Sequence, residues 1–79
     1  MTELILYTRD KCPLCDKAKD QLNEFKNETR LSFQEVDIYS DDALIEKYGL
    51  MIPVLEWRGE VIQYGNLDME DLRKRLIKS

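Results

Sequence analysis

The chain has 79 residues, 12 Lys and Arg against 16 Asp and Glu, a net charge of −4 and no histidine. That length holds one domain, 1–79, with a small core and no room for a second. The missing histidine excludes Ser-His-Asp and Cys-His nucleophilic pairs and histidine-containing zinc sites, and an acidic balance without a basic stripe argues against nucleic-acid binding.

No stretch approaches the roughly 18 consecutive apolar residues of a membrane span. Glu3 comes early and Arg9, Asp10 and Lys11 follow, which is not the basic-then-apolar order of a secretory leader. The expected compartment is the reducing cytosol. The sequence contains no internal repeat, low-complexity run or Gly/Ser/Pro-rich linker.

The first element, 3–8, is β-rich and apolar on both alternating phases, Leu4 and Leu6 against Ile5 and Tyr7, as an interior strand covered on both faces would be. A polar connection, Arg9-Asp10-Lys11, follows. Helical spacing then takes over: Leu14, Ala18, Leu22 and Phe25 share one face. Pro13 suits the first helical position, where its missing N–H is no loss, and this makes Cys12 the N-cap. The helix fades at 27–29.

Residues 31–38 read as a second strand, with Leu31 and Phe33 on one phase and Val36 and Ile38 on the other; the slip at Gln34-Glu35 is the pattern of a β-bulge. Ser40-Asp41-Asp42 starts a short helix carrying Leu44, Ile45 and Tyr48. Gly49 fits a left-handed stop, with Leu50 placed for the accompanying apolar contact.

Pro53 opens a third strand, 54–57. Arg58-Gly59 suits a two-residue hairpin loop and 61–64 the returning strand, where Trp57 and Tyr64 serve packing. After Gly65-Asn66, Asp68 caps a last helix with Met69, Leu72 and Leu76 inward, and Leu67 staples to Leu72. Arg73, Lys74, Arg75 and Lys78 complement its dipole. The order β-α-β-α-β-β-α predicts an α/β fold with a four-stranded mixed sheet flanked by helices.

The chemistry rests on Cys12-Pro13-Leu14-Cys15, at a strand-to-helix junction. Cysteines three apart at a helix start face the same side and can close a disulfide. The unpaired N–H groups and dipole there stabilise a Cys12 thiolate, bringing its pKa below the free value of about 8.5. Arg9 and Lys11 add positive charge near Cys12, whereas Asp16 opposes ionisation of Cys15. Cys12 is therefore expected to attack a substrate disulfide and Cys15 to resolve the mixed disulfide. Three other readings of the pair are two buried structural cysteines, a structural disulfide, and zinc or an iron–sulfur cluster shared by two chains.

The chain resembles the glutaredoxin and thioredoxin-like family through Leu4-Ile5-Leu6-Tyr7-Thr8-Arg9, Cys12-Pro13-Leu14-Cys15, Val36-Asp37-Ile38, Gly49-Leu50-Met51-Ile52-Pro53-Val54 and Gly65-Asn66-Leu67-Asp68. It is most similar to the small bacterial glutaredoxin-like proteins, which carry a similar Cys-x-Leu-Cys-Asp stretch. The resemblance implies a minimal thioredoxin (glutaredoxin-like) fold, a cis Ile52–Pro53 bond opposite the cysteines, and a thiol–disulfide oxidoreductase with glutathione as co-substrate and no bound cofactor. The implied substrate-binding residues are Arg9, Lys11, Pro13, Leu14, Ile52, Pro53 and Asp68, with the backbone of Ile52 pairing to the bound peptide. The implied partners of a monomeric protein are glutathione or disulfide-containing proteins. An alternative is reduction by thioredoxin reductase in the service of one protein such as ribonucleotide reductase. From another class comes a non-catalytic binding module or iron–sulfur carrier. The family's Gly-Gly-x-Asp-Asp turn is altered here, since Asn66 replaces the second glycine and Met69 the second acid.

Overall fold

The computed structural model describes residues 4–76. Its elements are β1 (Leu4–Thr8), α1 (Pro13–Thr29), β2 (Phe33–Asp37), a 3-10 turn (Ile38–Ser40), α2 (Asp42–Tyr48), β3 (Val54–Trp57), β4 (Glu60–Tyr64) and α3 (Met69–Leu76). The strands form one sheet in the order β2-β1-β3-β4. β1 is central, parallel to β2 and antiparallel to β3, and β3 and β4 form the antiparallel hairpin. This is the four-stranded mixed sheet that the pattern predicts, in the minimal thioredoxin-like architecture that the resemblance implies. Glu3 and Lys78, read as part of the first strand and of the last helix, lie outside the described residues.

The alternation of β1 divides the core. Leu4, Leu6 and Leu55 pack with Ala18, Leu22 and Phe25 of α1 and with Leu67 and Leu72 at α3. On the opposite face Val54 packs with Ile38 and Tyr48, and Tyr7, Leu44, Ile45, Met51 and Ile52 close around them. Both faces of the central strand are covered, as its unbroken apolar run requires.

Several local expectations are corrected. Leu14 does not join the buried stripe of α1; it is 44% exposed, and the stripe runs through Cys15, Ala18, Leu22 and Phe25. Those positions follow i, i+3, i+7, i+10, so the second cysteine occupies the core position. β2 has no bulge: its register with β1 is continuous from Leu4 opposite Phe33 to Thr8 opposite Asp37. The phase slips because Ile38 belongs to the 3-10 turn rather than the strand, and β2 is an edge strand. The irregularity lies instead between β3 and β4, where Leu55 faces Gln63 and Glu56 faces Val61, with Ile62 as the extra residue.

Gly49 is not left-handed. Its φ is −54°, and its N–H donates to Ile45 O at 2.8 Å. A Cβ at this position would come within 2.5 Å of that carbonyl, so close approach rather than positive φ favours glycine. Leu50 makes no apolar cap contact; it is fully exposed, at 104% of the reference surface. The left-handed helix stop occurs at Arg30 of α1, with φ 65° and its N–H on Lys26 O at 2.7 Å. The Arg58-Gly59 hairpin is as expected, with φ of 53° and 85°, the signs a type I′ turn needs.

Among the described residues, no helix is long and apolar enough to cross a membrane.

Candidate active site

β1 ends at Thr8, and the chain turns through Arg9-Asp10-Lys11 into α1. Lys11 adopts φ 55°, a left-handed step that few non-glycine residues take. That step leads into Cys12, which has extended φ and ψ of −120° and 102° and is the N-cap of α1. Its Sγ accepts the Cys15 N–H at 3.2 Å, and its carbonyl accepts the Asp16 N–H at 3.1 Å. Pro13 fills the first helical position, where no donor is needed. The sulfur thus takes the place of the oxygen that Ser or Asp would supply at a cap.

Cys12 and Cys15 are joined by a disulfide, with Cα atoms 5.1 Å apart. That separation lies within the usual range for a bridge. Cys12 is 7% exposed and Cys15 1%, so the cap-position cysteine is the more accessible residue of the pair. The residues between them, Pro13 and Leu14, are exposed.

Antiparallel pairing of β3 with β1 brings the start of β3 to the end of β1, since Tyr7 faces Val54. The Ile52–Pro53 peptide, immediately before Val54, is cis. The Gly65 N–H lies between two carbonyls of this segment, 3.2 Å from Met51 O and 2.8 Å from Pro53 O. Gly65 does so at φ 73°, where glycine carries no side-chain penalty.

On the other side of β1 lies a polar cavity of about 560 Å3, walled by Arg9, Lys11 and Lys19 against Asp10, Asp16, Glu35 and Asp37, with Thr8 also lining it. Thr8 Oγ1 donates to Glu35 Oε2 at 2.9 Å. Lys19 Nζ lies 3.3 Å from the same oxygen and 3.7 Å from Asp16 Oδ1. The hydrogen bond and charge of Glu35 raise the pKa of the Lys19 ammonium above its ordinary value.

The residues expected to bind substrate therefore fall into separate groups. Arg9 and Lys11 line the charged cavity. Ile52 and Pro53 belong to the cis segment, and Pro13 and Leu14 lie on the exposed first turn of α1. Asp68 is a helix cap: its Oδ1 accepts the Asp71 N–H at 3.1 Å.

Asp16 was legible as the acid beside Cys15, whereas Lys19 and Glu35 were not legible as part of the site. The phase slip at Gln34-Glu35 was their signal. It sets Glu35, which pairs with Leu6 across the sheet, on the side facing α1 and within reach of Lys19. Gln63 was missed as well. Its Oε1 accepts the Asp68 N–H and its Nε2 donates to Asp68 O, both at 2.9 Å.

The glutaredoxin-like domain family (DUF836) matches residues 3–77 of this sequence. The chain belongs to this family.

As a glutaredoxin-like domain it has close structural relatives. The target protein XcR50 from X. campestris is 36% identical, with 96% of this chain and 97% of that one covered and a TM-score of 0.77. Protein Ne2328 from Nitrosomonas europaea reaches a TM-score of 0.81 at 21% identity, covering 94% and 89% of the two chains. A glutaredoxin from Archaeoglobus fulgidus gives 0.66 at 21% identity, covering 100% and 89%; at such identities the likeness is one of fold. A glutaredoxin-like fold with a disulfide-forming Cys-x-x-Cys pair at the start of α1 supports thiol–disulfide oxidoreductase chemistry in general.

Proposed function

We propose that this glutaredoxin-like domain reduces protein or glutathione mixed disulfides through its Cys12-Pro13-Leu14-Cys15 dithiol in the cytosol. One observation carries the reading: the Cys12 sulfur caps α1 and accepts the Cys15 N–H at 3.2 Å, and Cys12 is the more exposed residue of the bridged pair. After reduction the same N–H and the positive end of a 17-residue helix stabilise a thiolate at Cys12. Cys15, one turn in and buried, remains protonated until it is needed.

The Cys12 thiolate attacks one sulfur of the substrate disulfide, forming a mixed disulfide and releasing one substrate thiolate. Cys15 gives up its proton and attacks the Cys12 sulfur, releasing the second. The protein ends as the Cys12–Cys15 disulfide, and the protons of its two thiols finish on the two substrate thiols.

Cys12→Ser is expected to lose disulfide reduction to the buffer background. Cys15→Ser is expected to accumulate a mixed disulfide visible by intact mass. Full activity of Cys12→Ser would overturn the assignment of the nucleophile. Absence of any trapped adduct in Cys15→Ser would overturn the resolving role.

A second reading concerns the electron donor. Asp68 is engaged in capping α3, and Asn66 and Met69 stand where the family's turn has glycine and acid, which slightly favours thioredoxin reductase, whereas Arg9 favours glutathione. Steady-state reduction with NADPH and thioredoxin reductase, set beside glutathione with its reductase, separates the two.

A further inference from the structure

The segment 49–53 joins the end of α2 to the start of β3 and contains Ile52 and Pro53. Leu50 adds no packing to it, being fully exposed, whereas Met51 and Ile52 lie half-buried against Ile38, Tyr48 and Val54. On the hairpin side the Gly65 N–H ties the segment down through Met51 O and Pro53 O. On the helix side the tie is Tyr48, whose carbonyl accepts the Met51 N–H at 2.9 Å.

Tyr48 is itself fastened to two strands. It ends a helix of seven residues, too short to be stable by its own hydrogen bonds, yet it is only 2% exposed. Its ring lies 4.7 Å from that of Tyr7 in β1, and its hydroxyl donates to Glu56 Oε2 in β3 at 3.0 Å. The Tyr7 hydroxyl approaches the other carboxylate oxygen at 3.4 Å. Glu56 is half-buried on the sheet face shared with Tyr7 and Val54, and a carboxylate there needs donors. Apolar side chains would cover this face without any such requirement. The polar group therefore adds direction to the packing. β1 leads to Cys12 four residues after Thr8, and β3 begins immediately after Pro53, so one side chain registers segment 49–53 against both halves of the site.

We propose that Tyr48, held by Glu56 and Tyr7, is a positioning residue for the exchange reaction, setting segment 49–53 where an extended disulfide substrate lies along Ile52 with its sulfur presented to Cys12. The inference rests on the thiol–disulfide reading and adds the group that aligns its substrate. Tyr48 acts through the segment and not on the sulfurs, so attack by Cys12 and resolution by Cys15 are unchanged. Loss of the hydroxyl depopulates the aligned state by at most the net worth of one hydrogen bond, which limits the loss of apparent affinity to about tenfold.

The test measures single-turnover oxidation of the pre-reduced protein over a range of substrate concentrations, quenched by alkylation and read by mass. One substrate is the disulfide dimer of a short extended peptide with a central cysteine. The other is bis(2-hydroxyethyl) disulfide, which has no main chain to align. Tyr48→Phe keeps the ring in its stack. It is expected to raise the half-saturating concentration of the peptide disulfide by about three- to tenfold, with the limiting rate and the small disulfide unchanged. Glu56→Ala is expected to do the same, and Glu56→Gln, which keeps an acceptor for the hydroxyl, to behave as the wild type. The Gly65 amide proton reads the seat of the segment directly and is expected to exchange faster in Tyr48→Phe, while the Cys15 amide does not.

Should Glu56→Ala fail to fold, Tyr48→Phe and its Gly65 exchange rate decide alone. Equal losses on both disulfides, or none on either, would overturn the positioning role while leaving the exchange reaction intact. Failure of the small disulfide to oxidise the wild-type dithiol would instead overturn the exchange reaction itself.

Discussion

Tyr7 shows how a single side chain is governed by its surroundings at the residue scale. Its ring lies 4.7 Å from that of Tyr48, tilted by 36°, on the face of the sheet covered by α2. Its hydroxyl is 3.4 Å from Glu56 Oε1, a long contact, whereas Tyr48 donates to Glu56 Oε2 at 3.0 Å. Burial first, and then the Glu56 carboxylate, raise the Tyr7 pKa above the ordinary 10.0, because a phenolate there would be desolvated beside another negative charge. The protonated form is the one the fold favours. Its contribution to stability is complete below pH 10 and is lost as pH rises through the raised value. The difference in tyrosinate absorbance between the wild type and Tyr7→Phe is expected to titrate above 10, and Glu56→Gln to move that midpoint down without abolishing the shift. A Tyr7 component titrating at the ordinary value would contradict this account.

At the scale of elements, the start of α3 is held from a strand. Gln63 of β4 pairs with both backbone groups of Asp68 and donates to Asp71 Oδ2 at 3.1 Å, and Arg75 binds the same carboxylate oxygen at 2.9 Å. The bulge at Ile62 places Gln63 opposite Leu55, on the face that α3 covers. Gln63→Ala is expected to cost about 1–2 kcal/mol in chemical denaturation, since it removes several hydrogen bonds at once. Gln63→Glu sets a second carboxylate against Asp71, and its deficit should shrink as pH falls through the glutamate range, about 4.3. Asp71 itself is held below 3.8, by Arg75 first and Gln63 second, so its contribution persists above that pH and is lost only as acid reaches the lowered value. The elements were legible because their boundaries carry local chemistry: Cys12-Pro13, Asp41 and Asp68 at helix starts, and Arg58-Gly59 at the hairpin. The bulge, the right-handed backbone of Gly49 at the end of α2 and the exposure of Leu50 were not legible. Each depends on which neighbour lies across the sheet or one turn away, and a one-dimensional pattern of polarity does not contain that information.

For the molecule as a whole, packing outweighs surface charge. Glu28 near the end of α1 and Arg73 of α3 approach to 2.7 Å, but both side chains are about half exposed. Such a pair contributes about 0–1 kcal/mol, so Arg73→Ala should shift stability by less than that, and less still in high salt. Phe25 is 1% exposed between the sheet and the helices, and Phe25→Ala should cost about 3–5 kcal/mol. For 79 residues the total is only on the order of 4–12 kcal/mol, so that loss is a large share of it. The fold was readable because its core repeats with the periods of strand and helix. The site was readable at its two cysteines and at the cis proline, which the family resemblance supplied. The cavity was not, because Thr8, Lys19 and Glu35 meet only through the parallel pairing of β1 and β2. The Gly65 N–H, shared between the carbonyls of Met51 and Pro53, bears on how a partner would be received. Both neighbours of Ile52 are fixed to the turn that leads into α3, so the main chain at Ile52 has little freedom left to lose. An incoming extended segment would align against a surface whose ordering entropy was spent during folding, and its dwell time would then depend on the contacts it makes.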